Sequence, residues 1–152
     1  MTYSPRITVA TVVEDNGKFL MVREMIQGEL RYNQPTGHVE AGEHLMQAAR
    51  REALEETAWE VELNAFVGVF VFQVAPGGPV YHRYCFAGNA KHFHAKAALD
   101  PDIYDTQWLT ADAIRAVQAQ HRSPLVLPCL EHYLAGKRFP LDLLYEHPWP
   151  QQ

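Results

Sequence analysis

The segment from Gly37 to Trp59 limits what this chain can fold into more than any other part of it. It reads GHVEAGEHLMQAARREALEETAW, and its second half repeats apolar residues at helical spacing. This pattern predicts a helix from about Leu45 to Thr57. We expect the helix to pack closely against a sheet, because the residues of its predicted buried stripe are mostly small: Leu45, Ala48, Ala49 and Ala53.

Three glutamates near the end of this helix give the first indication of chemistry. Glu52, Glu55 and Glu56 stand at i, i+3 and i+4, so they share one helix face with Cβ atoms about 5–6 Å apart. Like charges at this spacing destabilise an isolated helix by about 0.2–0.5 kcal/mol per pair. A bound Mg²⁺ would relieve the repulsion, since this ion prefers carboxylate oxygens. A solvated helix face without an ion explains the same three residues, and both interpretations stay open on these residues alone.

The spacing of the residues around the glutamates is more specific than the cluster itself. From Gly37 to Glu56 the chain follows the pattern G-x5-E-x7-R-E-x-L-E-E. This resembles the Nudix box, the signature of hydrolases that act on diphosphates linked to another group. One departure is Ala58, which stands where the family has a glycine that closes the helix. Alanine costs about 1–2 kcal/mol there if the left-handed backbone is kept, and otherwise the helix ends differently.

The resemblance implies a function for each charged residue of the box. Mg²⁺, for which Mn²⁺ can substitute, would be bound by these oxygen donors: the carboxylates of Glu52, Glu55 and Glu56 and the carbonyl of Gly37. Arg51 would orient the glutamates by ion pairing, and Glu43 would tie the loop to the helix. An ordinary surface placement is the alternative for Arg51 and Glu43. The catalytic residues expected from the resemblance are therefore Glu43, Arg51, Glu52, Glu55 and Glu56.

The general base is less clearly marked, because Nudix enzymes often recruit a carboxylate from outside the box. Asp100, Asp102 and Asp105 fall in a predicted loop, and we select Asp102 among them. Solvated turn formers beside Pro101 are an equally good interpretation of these residues. A glutamate of the box, such as Glu55, is the other candidate for the base.

Substrate phosphates need cations besides the metal, and arginine suits bidentate contacts. Arg23 and Arg83 lie on predicted strands from which either could reach a phosphate. Tyr81 or Phe72 could stack on a pyrimidine. Plain surface arginines and packed aromatic residues are the alternative interpretation of all four.

Histidines and cysteines predict no further metal site. His92 and His94 form an H-x-H pair, but we expect them on a loop, exposed to solvent and without a third ligand. Cys85 and Cys129 lack the spacing of a metal-binding motif and lie in apolar surroundings. We expect them to be buried free thiols.

The rest of the sequence predicts a sheet with helices on both sides. Asn16-Gly17 is a hairpin signal between two strands, and Pro76-Gly77-Gly78 marks a turn between two others. The predicted elements are strands 6–13, 18–24, 65–74, 79–87 and one over 106–109, a loop over 33–42, helices 111–120 and 123–136, and an extended C-terminal tail. This order predicts a fold of the α/β (α+β) class with a mixed β-sheet. The α/β/α sandwich that the resemblance implies agrees with it.

Composition excludes several classes of protein. With 152 residues, of which 47% are hydrophobic and 20% charged, the chain is expected to form one domain over residues 1–152. Its net charge of −5 makes nucleic acid an unlikely partner. We see no signal peptide and no apolar run long enough to span a membrane, which favours the cytoplasm. Both a monomer and a homodimer are compatible with the sequence.

Segments outside the box extend the resemblance over nearly the whole chain, at residues 32–40, 122–126 and 145–150. They are similar to a group of bacterial Nudix phosphatases that remove phosphate from nucleoside tri- and diphosphates and from hydroxymethylpyrimidine diphosphate. These enzymes are also described as acting on small prenyl diphosphates. The expected partner is thus a small diphosphate substrate. The alternatives are an NTP or RNA 5′ pyrophosphohydrolase and a non-catalytic ligand-binding module.

Overall fold

A mixed β-sheet carries the fold in the computed structural model, which describes residues 2–151. Its strands are β1 Arg6–Asp15, β2 Lys18–Ile26, β3 Glu29–Asn33, β4 Thr36–His38, β5 Trp59–Gln73, β6 Val80–Phe93 and β7 Ile103–Thr110. The α-helices are α1 Leu45–Thr57, α2 Ala111–Ala116 and α3 Val126–Leu134. Two 3₁₀ turns complete the described elements, at Gln118–Gln120 and Leu141–Leu143.

The sheet consists of two parts that meet at one hairpin. β1 runs parallel to β6 and antiparallel to β4, and β6 pairs with β5. β2 pairs with β3 and β7, all antiparallel. The two parts are joined where β1 and β2 pair beside the predicted Asn16-Gly17 turn, whose φ angles of 50° and 77° suit a type I′ hairpin. Past this hairpin the parts separate, which leaves room for a cavity between them.

Helices cover both faces of the sheet, as predicted. On one face α1 packs its small residues Ala48, Ala49 and Ala53 against Val13 and Phe86 of the sheet. On the other face Cys129, Leu130 and Tyr133 of α3 pack with residues that include Val12, Met21 and Cys85. The alternation of side chains along each strand supplies both cores. The predicted α/β/α sandwich with a mixed sheet is confirmed.

Helix α1 has the predicted bounds, and its C-terminal end shows which backbone conformation Ala58 adopts. Ala58 lies in the left-handed region, with a φ of 64°, and its N–H donates to the carbonyl of Leu54 at 2.9 Å. The backbone that usually takes glycine is therefore kept with alanine, at the expected cost of about 1–2 kcal/mol. At the other end of α1, the Glu146 carboxylate accepts the N–H of Leu45 at 3.0 Å, which ties the C-terminal tail to this helix.

Several element bounds differ from the prediction. β5 begins at Trp59 and not at 65, because Glu60, Glu62 and Asn64 point outward between buried apolar residues despite their low strand propensity. β6 continues to Phe93, so His92 lies on a strand and not on a loop. The predicted loop 33–42 contains the short strand β4, held by β1, and β3 was not predicted. The helix predicted over 111–120 ends at Ala116.

No helix within the described residues is long and apolar enough to cross a membrane. Cys85 and Cys129 are free and buried, as the sequence predicts.

Candidate active site

A cavity of about 890 Å³ opens between the two parts of the sheet. Strands from both parts, the loop before α1 and the segments 100–102 and 122–125 form its walls. Acidic and basic side chains face it together. Its charged lining residues are Glu24, Glu40, Glu52, Glu56, Arg83, Asp100, Asp102 and Arg122.

Strand β4 brings the chain against the glutamates of α1. A Cβ atom added to Gly37 would lie 2.0 Å from the Cδ of Glu52, so any larger residue would displace this carboxylate from its position. The N–H of Thr36 donates to Glu56 Oε1 at 2.8 Å. The backbone of Thr36 thus contacts Glu56, and the backbone of Gly37 lies against Glu52. These contacts explain why glycine opens the motif.

Burial changes the acidity of both carboxyl groups. Glu56 is 6% exposed, and this burial raises its pKa to about 9, against the opposing hydrogen bond from Thr36. The negative charges of Glu24, Glu52 and Asp100 push it in the same direction. Burial also raises the pKa of Glu52, while its hydrogen bond from Arg51 opposes the rise. Two neighbouring carboxyl groups that are withdrawn from water need a cation beside them to stay ionised.

Arg51 connects the loop to the helix. Its Nε donates to Glu43 Oε2 at 2.7 Å, and its Nη1 donates to Glu52 Oε1 at 2.8 Å and to Glu55 Oε2 at 3.1 Å. Its Nη2 donates to the carbonyl of His38 at 3.0 Å. The hydrogen bond from Arg51 lowers the pKa of Glu43. Glu55 is 47% exposed at its side chain and lies on the rim, outside the cavity lining.

Arg83 faces the cavity from β6 and is only 5% exposed. It donates to Gln34 Oε1 at 3.1 Å and to Asn33 Oδ1 at 3.2 Å, so its described oxygen partners are neutral amides. A buried guanidinium is expensive unless a negative charge approaches it. Among the described residues it makes no ion pair, which leaves its charge available to an anion entering the cavity.

The side chain of Arg23, unlike that of Arg83, does not line the cavity. Its Nε donates to Asp105 Oδ1 at 2.7 Å, its guanidinium lies over the rings of Tyr32 and Tyr104, and it is absent from the cavity lining. Its neighbour Glu24 lines the cavity instead, beside the β-bulge that shifts the register of β2 against β7 between Arg23 and Glu24. Sequence reasoning missed Glu24. The bulge beside it arises from the pairing of β2 with β7, which local sequence does not show.

The remaining predicted site residues lie where substrate could reach them. Tyr81 and Phe72 line the cavity, and Tyr81 accepts a hydrogen bond from Arg6 at 3.2 Å. Asp102 is an exposed cavity residue, whereas Asp105 is bonded to Arg23. Asn33, Gln34 and Arg122 were also missed. Their positions depend on contacts between segments far apart in sequence.

Besides the placement of His92 on a strand, the expectation for the histidines was wrong about a third ligand. His92 and His94 do have a third potential ligand among the described residues, Glu60, whose carboxylate oxygen lies within 4.8 Å of their ring nitrogens. The sequence did not show this because Glu60 comes close only through the pairing of β5 with β6.

Comparisons with known proteins agree with this fold. The family model of the NUDIX domain matches residues 3–128. The Escherichia coli K12 protein named phosphatase NudJ is 38% identical over 149 residues, which cover 97% of this chain and 95% of that protein. A solved NUDIX hydrolase from Nitrosomonas europaea aligns with a TM-score of 0.92 and 42% identity, over 95% of this chain and 99% of the other. The NUDIX domain of Shewanella oneidensis NrtR, complexed with ADP ribose, is similar in fold alone, with a TM-score of 0.69 and 17% identity over 89% of this chain and 90% of that one.

Proposed function

Since this chain belongs to the NUDIX family and is a Nudix phosphohydrolase, we propose that it is a Mg²⁺-dependent enzyme that releases phosphate from small organic diphosphates. Its proposed substrates are nucleoside tri- and diphosphates and compounds such as hydroxymethylpyrimidine diphosphate. One observation carries the proposal: two desolvated carboxyl groups, those of Glu52 and Glu56, line the same cavity as the buried cation Arg83. The name of the Escherichia coli relative, a phosphatase, supports release of phosphate.

The residues of the box fit a hard dication. Glu52 and Glu56 offer carboxylate oxygens on the same side of α1, next to the backbone of Gly37. Oxygen donors of this kind suit Mg²⁺, or Mn²⁺ in its place. Bound there, the ion would supply Lewis acidity that draws negative charge from the phosphoryl oxygens. Glu55 and the Gly37 carbonyl remain predicted ligands, and Glu55 would have to leave its contact with Arg51 to reach the cavity.

The protein's own residues would hold the substrate between this group and the opposite wall. Arg83 would donate to a phosphate oxygen, since its oxygen partners among the described residues are neutral amides. Tyr81 and Phe72 would cover the organic part of the substrate. Arg51 would keep Glu52 and the loop in position through Glu43, at a distance from the substrate itself.

Asp102 and Glu24, two of the carboxylates outside the box that line the cavity, are our candidates to take the proton of the attacking water. Asp102, the candidate from the sequence, lines the cavity and is open to solvent. Glu24 lines it too, with a side chain only 14% exposed, and burial raises its pKa, which makes its carboxylate a stronger base. Separate Asp102→Asn and Glu24→Gln variants assign the base. The one that lowers the rate and removes the acidic limb of the pH–rate profile identifies it.

The two free cysteines fit a reducing compartment, and we propose the cytoplasm as the location.

A substrate panel with Mg²⁺ tests the proposal. It comprises an NTP, an NDP, hydroxymethylpyrimidine diphosphate and a prenyl diphosphate, with orthophosphate and pyrophosphate measured separately. We expect orthophosphate as the product, and loss of all turnover after chelation and in the Glu56→Gln variant. Pyrophosphate as the sole product from an NTP would favour a pyrophosphohydrolase. Tight binding without turnover of any compound would contradict the proposal.

A further inference from the structure

A second group of potential ligands lies at the edge of the sheet, outside the active-site cavity. Glu60 stands opposite His92 in the pairing of β5 with β6, and His94 follows two residues later. The Nε2 of His94 lies 3.1 Å from Glu60 Oε2, and the two imidazole rings stand edge to face with centroids 4.6 Å apart. One donor atom from each side chain falls within 4.8 Å of the others.

The donor set differs in kind from that of the box. Two imidazole nitrogens and one carboxylate suit Zn²⁺ and similar transition-metal ions, whereas Mg²⁺ prefers an all-oxygen environment. With metal–ligand bonds of about 2.0–2.2 Å, tetrahedral ligands lie about 3.3–3.6 Å apart. The side chains are close to that spacing already. The side chains of Glu60 and His94 are 56% and 42% exposed. Small side-chain rotations can therefore bring the donor atoms to the required spacing without disturbing the core.

The position of the group links it to the end of the catalytic helix. The N–H of His94 donates to the carbonyl of Ala58 at 2.8 Å, and the N–H of Asp100 donates to that of Glu55 at 2.9 Å. His92 and His94 also line a shallow cavity of about 480 Å³ beside Leu54, which leaves room for water or an exogenous ligand at the metal. An ion held here would fasten the last residues of β6 to the turn that leaves α1.

We propose that Glu60, His92 and His94 form a second metal site, for Zn²⁺ or a similar transition-metal dication. The site has three protein ligands and at least one position open to water. It is distinct from the box carboxylates and does not depend on them.

Zinc retention in a large excess of Mg²⁺, which occupies hard oxygen sites, tests this site. The chelated protein is given Zn²⁺, passed through gel filtration and analysed for bound metal, and its affinity is measured by calorimetry. We expect about one Zn²⁺ per chain in the unmodified protein. His92→Ala and His94→Ala should each weaken binding by more than about tenfold, because loss even of an outer-shell partner costs about 10–100-fold. Glu62→Gln is the control, since Glu62 is exposed on β5, the strand that carries Glu60, and lies outside the group of three ligands.

Two further measurements make the outcome decisive. Zn²⁺ should raise the melting temperature of the unmodified protein and of Glu62→Gln but not of His94→Ala, because ligand binding to the folded state stabilises it. Co²⁺ in place of Zn²⁺ should give the visible absorption of a four-coordinate site with nitrogen ligands. Absence of retained zinc would overturn the proposal and leave Glu60 and His94 as a surface contact without an ion. Zinc that is lost in Glu56→Gln and kept in His92→Ala would also overturn it.

Discussion

Two sides of one helix show how the active site depends on burial. Glu52 and Glu56 of α1 face the cavity and are largely withdrawn from water, whereas Glu55 lies on the rim and pairs with Arg51. All three carry the same side chain within five residues of the same motif. The difference comes from β4, whose backbone closes over Glu52 and Glu56 and does not cover Glu55. Identical residues therefore acquire different electrostatic properties from the element packed against them.

The largest expected effect compares these two sides directly. Glu56→Gln should lower kcat by about 10³-fold or more, since it removes a proposed metal ligand and the stabilisation of transition-state charge that the ion supplies. Glu55→Gln should lower kcat by about tenfold or less, in keeping with its place on the rim. Steady-state kinetics at saturating Mg²⁺ measure both, and circular dichroism checks that each variant folds. Equal losses would show that Glu55 moves into the cavity and shares the metal.

The same comparison extends to the two arginines of the sheet. Arg83→Met should lower kcat/KM by about 10–100-fold, because a charge-assisted hydrogen bond contributes about 1.5–3 kcal/mol. Arg23→Met, its matched control, should change kcat/KM by less than about threefold, since Arg23 is bonded to Asp105 outside the cavity. Melting temperatures separate a binding effect from a folding defect, because Arg83→Met leaves the amide oxygens of Asn33 and Gln34 without their donor. A larger loss for Arg23→Met than for Arg83→Met would contradict this assignment.

The buried side of α1 should also make the stability of the metal-free protein depend on pH. Burial raises the pKa of Glu56 from 4.5 in its ordinary state to about 9 in the folded state. The unfolded chain therefore loses this proton at lower pH than the folded chain, so this group's contribution to the free energy of unfolding falls as pH rises from about 4.5 to 9.

Urea unfolding in the presence of a chelator, at pH 6 and pH 8.5, measures this dependence. We expect the unmodified protein to lose more stability between the two pH values than Glu56→Gln does, since glutamine has no proton to lose. Added Mg²⁺ should reduce the loss in the unmodified protein, because a cation favours the ionised carboxylate. The same pH dependence in both proteins would show that Glu56 is not the responsible group.

The smallest expected effect concerns the end of the helix, beyond the carboxylates. Ala58→Gly should raise the free energy of unfolding by about 1 kcal/mol, because glycine enters the left-handed region without the penalty of a Cβ atom. Turnover should stay nearly unchanged, since Ala58 follows the box glutamates and does not line the cavity. Thermal unfolding and steady-state kinetics measure the two quantities. A large change in kcat would mean that the turn after α1 shapes the site.

The parts of the fold that were predicted well are those that local sequence determines. The bounds of α1 and the Asn16-Gly17 hairpin follow from spacing and backbone preference within a few residues. The start of β5 was missed because Glu60 and Glu62 are poor strand formers that a neighbouring strand nevertheless holds in place. Glu24 was missed for a related reason, since its face was decided by the bulge and partners of β2.

The sequence alone determined the box and its helix, because the distance between side chains on a helix is set by local backbone geometry. The reaction class followed from the resemblance of the box to the Nudix signature. It left open whether Ala58 keeps the left-handed cap and which arginine meets the cavity, and it wrongly predicted that His92 and His94 have no third potential ligand. The tertiary structure decided all three. Burial and contacts between distant segments arise only when strands such as β5 and β6, or β4 and α1, come together. Those contacts withdraw Glu56 from water, give Arg83 neutral amide oxygens as its oxygen partners within residues 2–151, and bring Glu60 to the histidines.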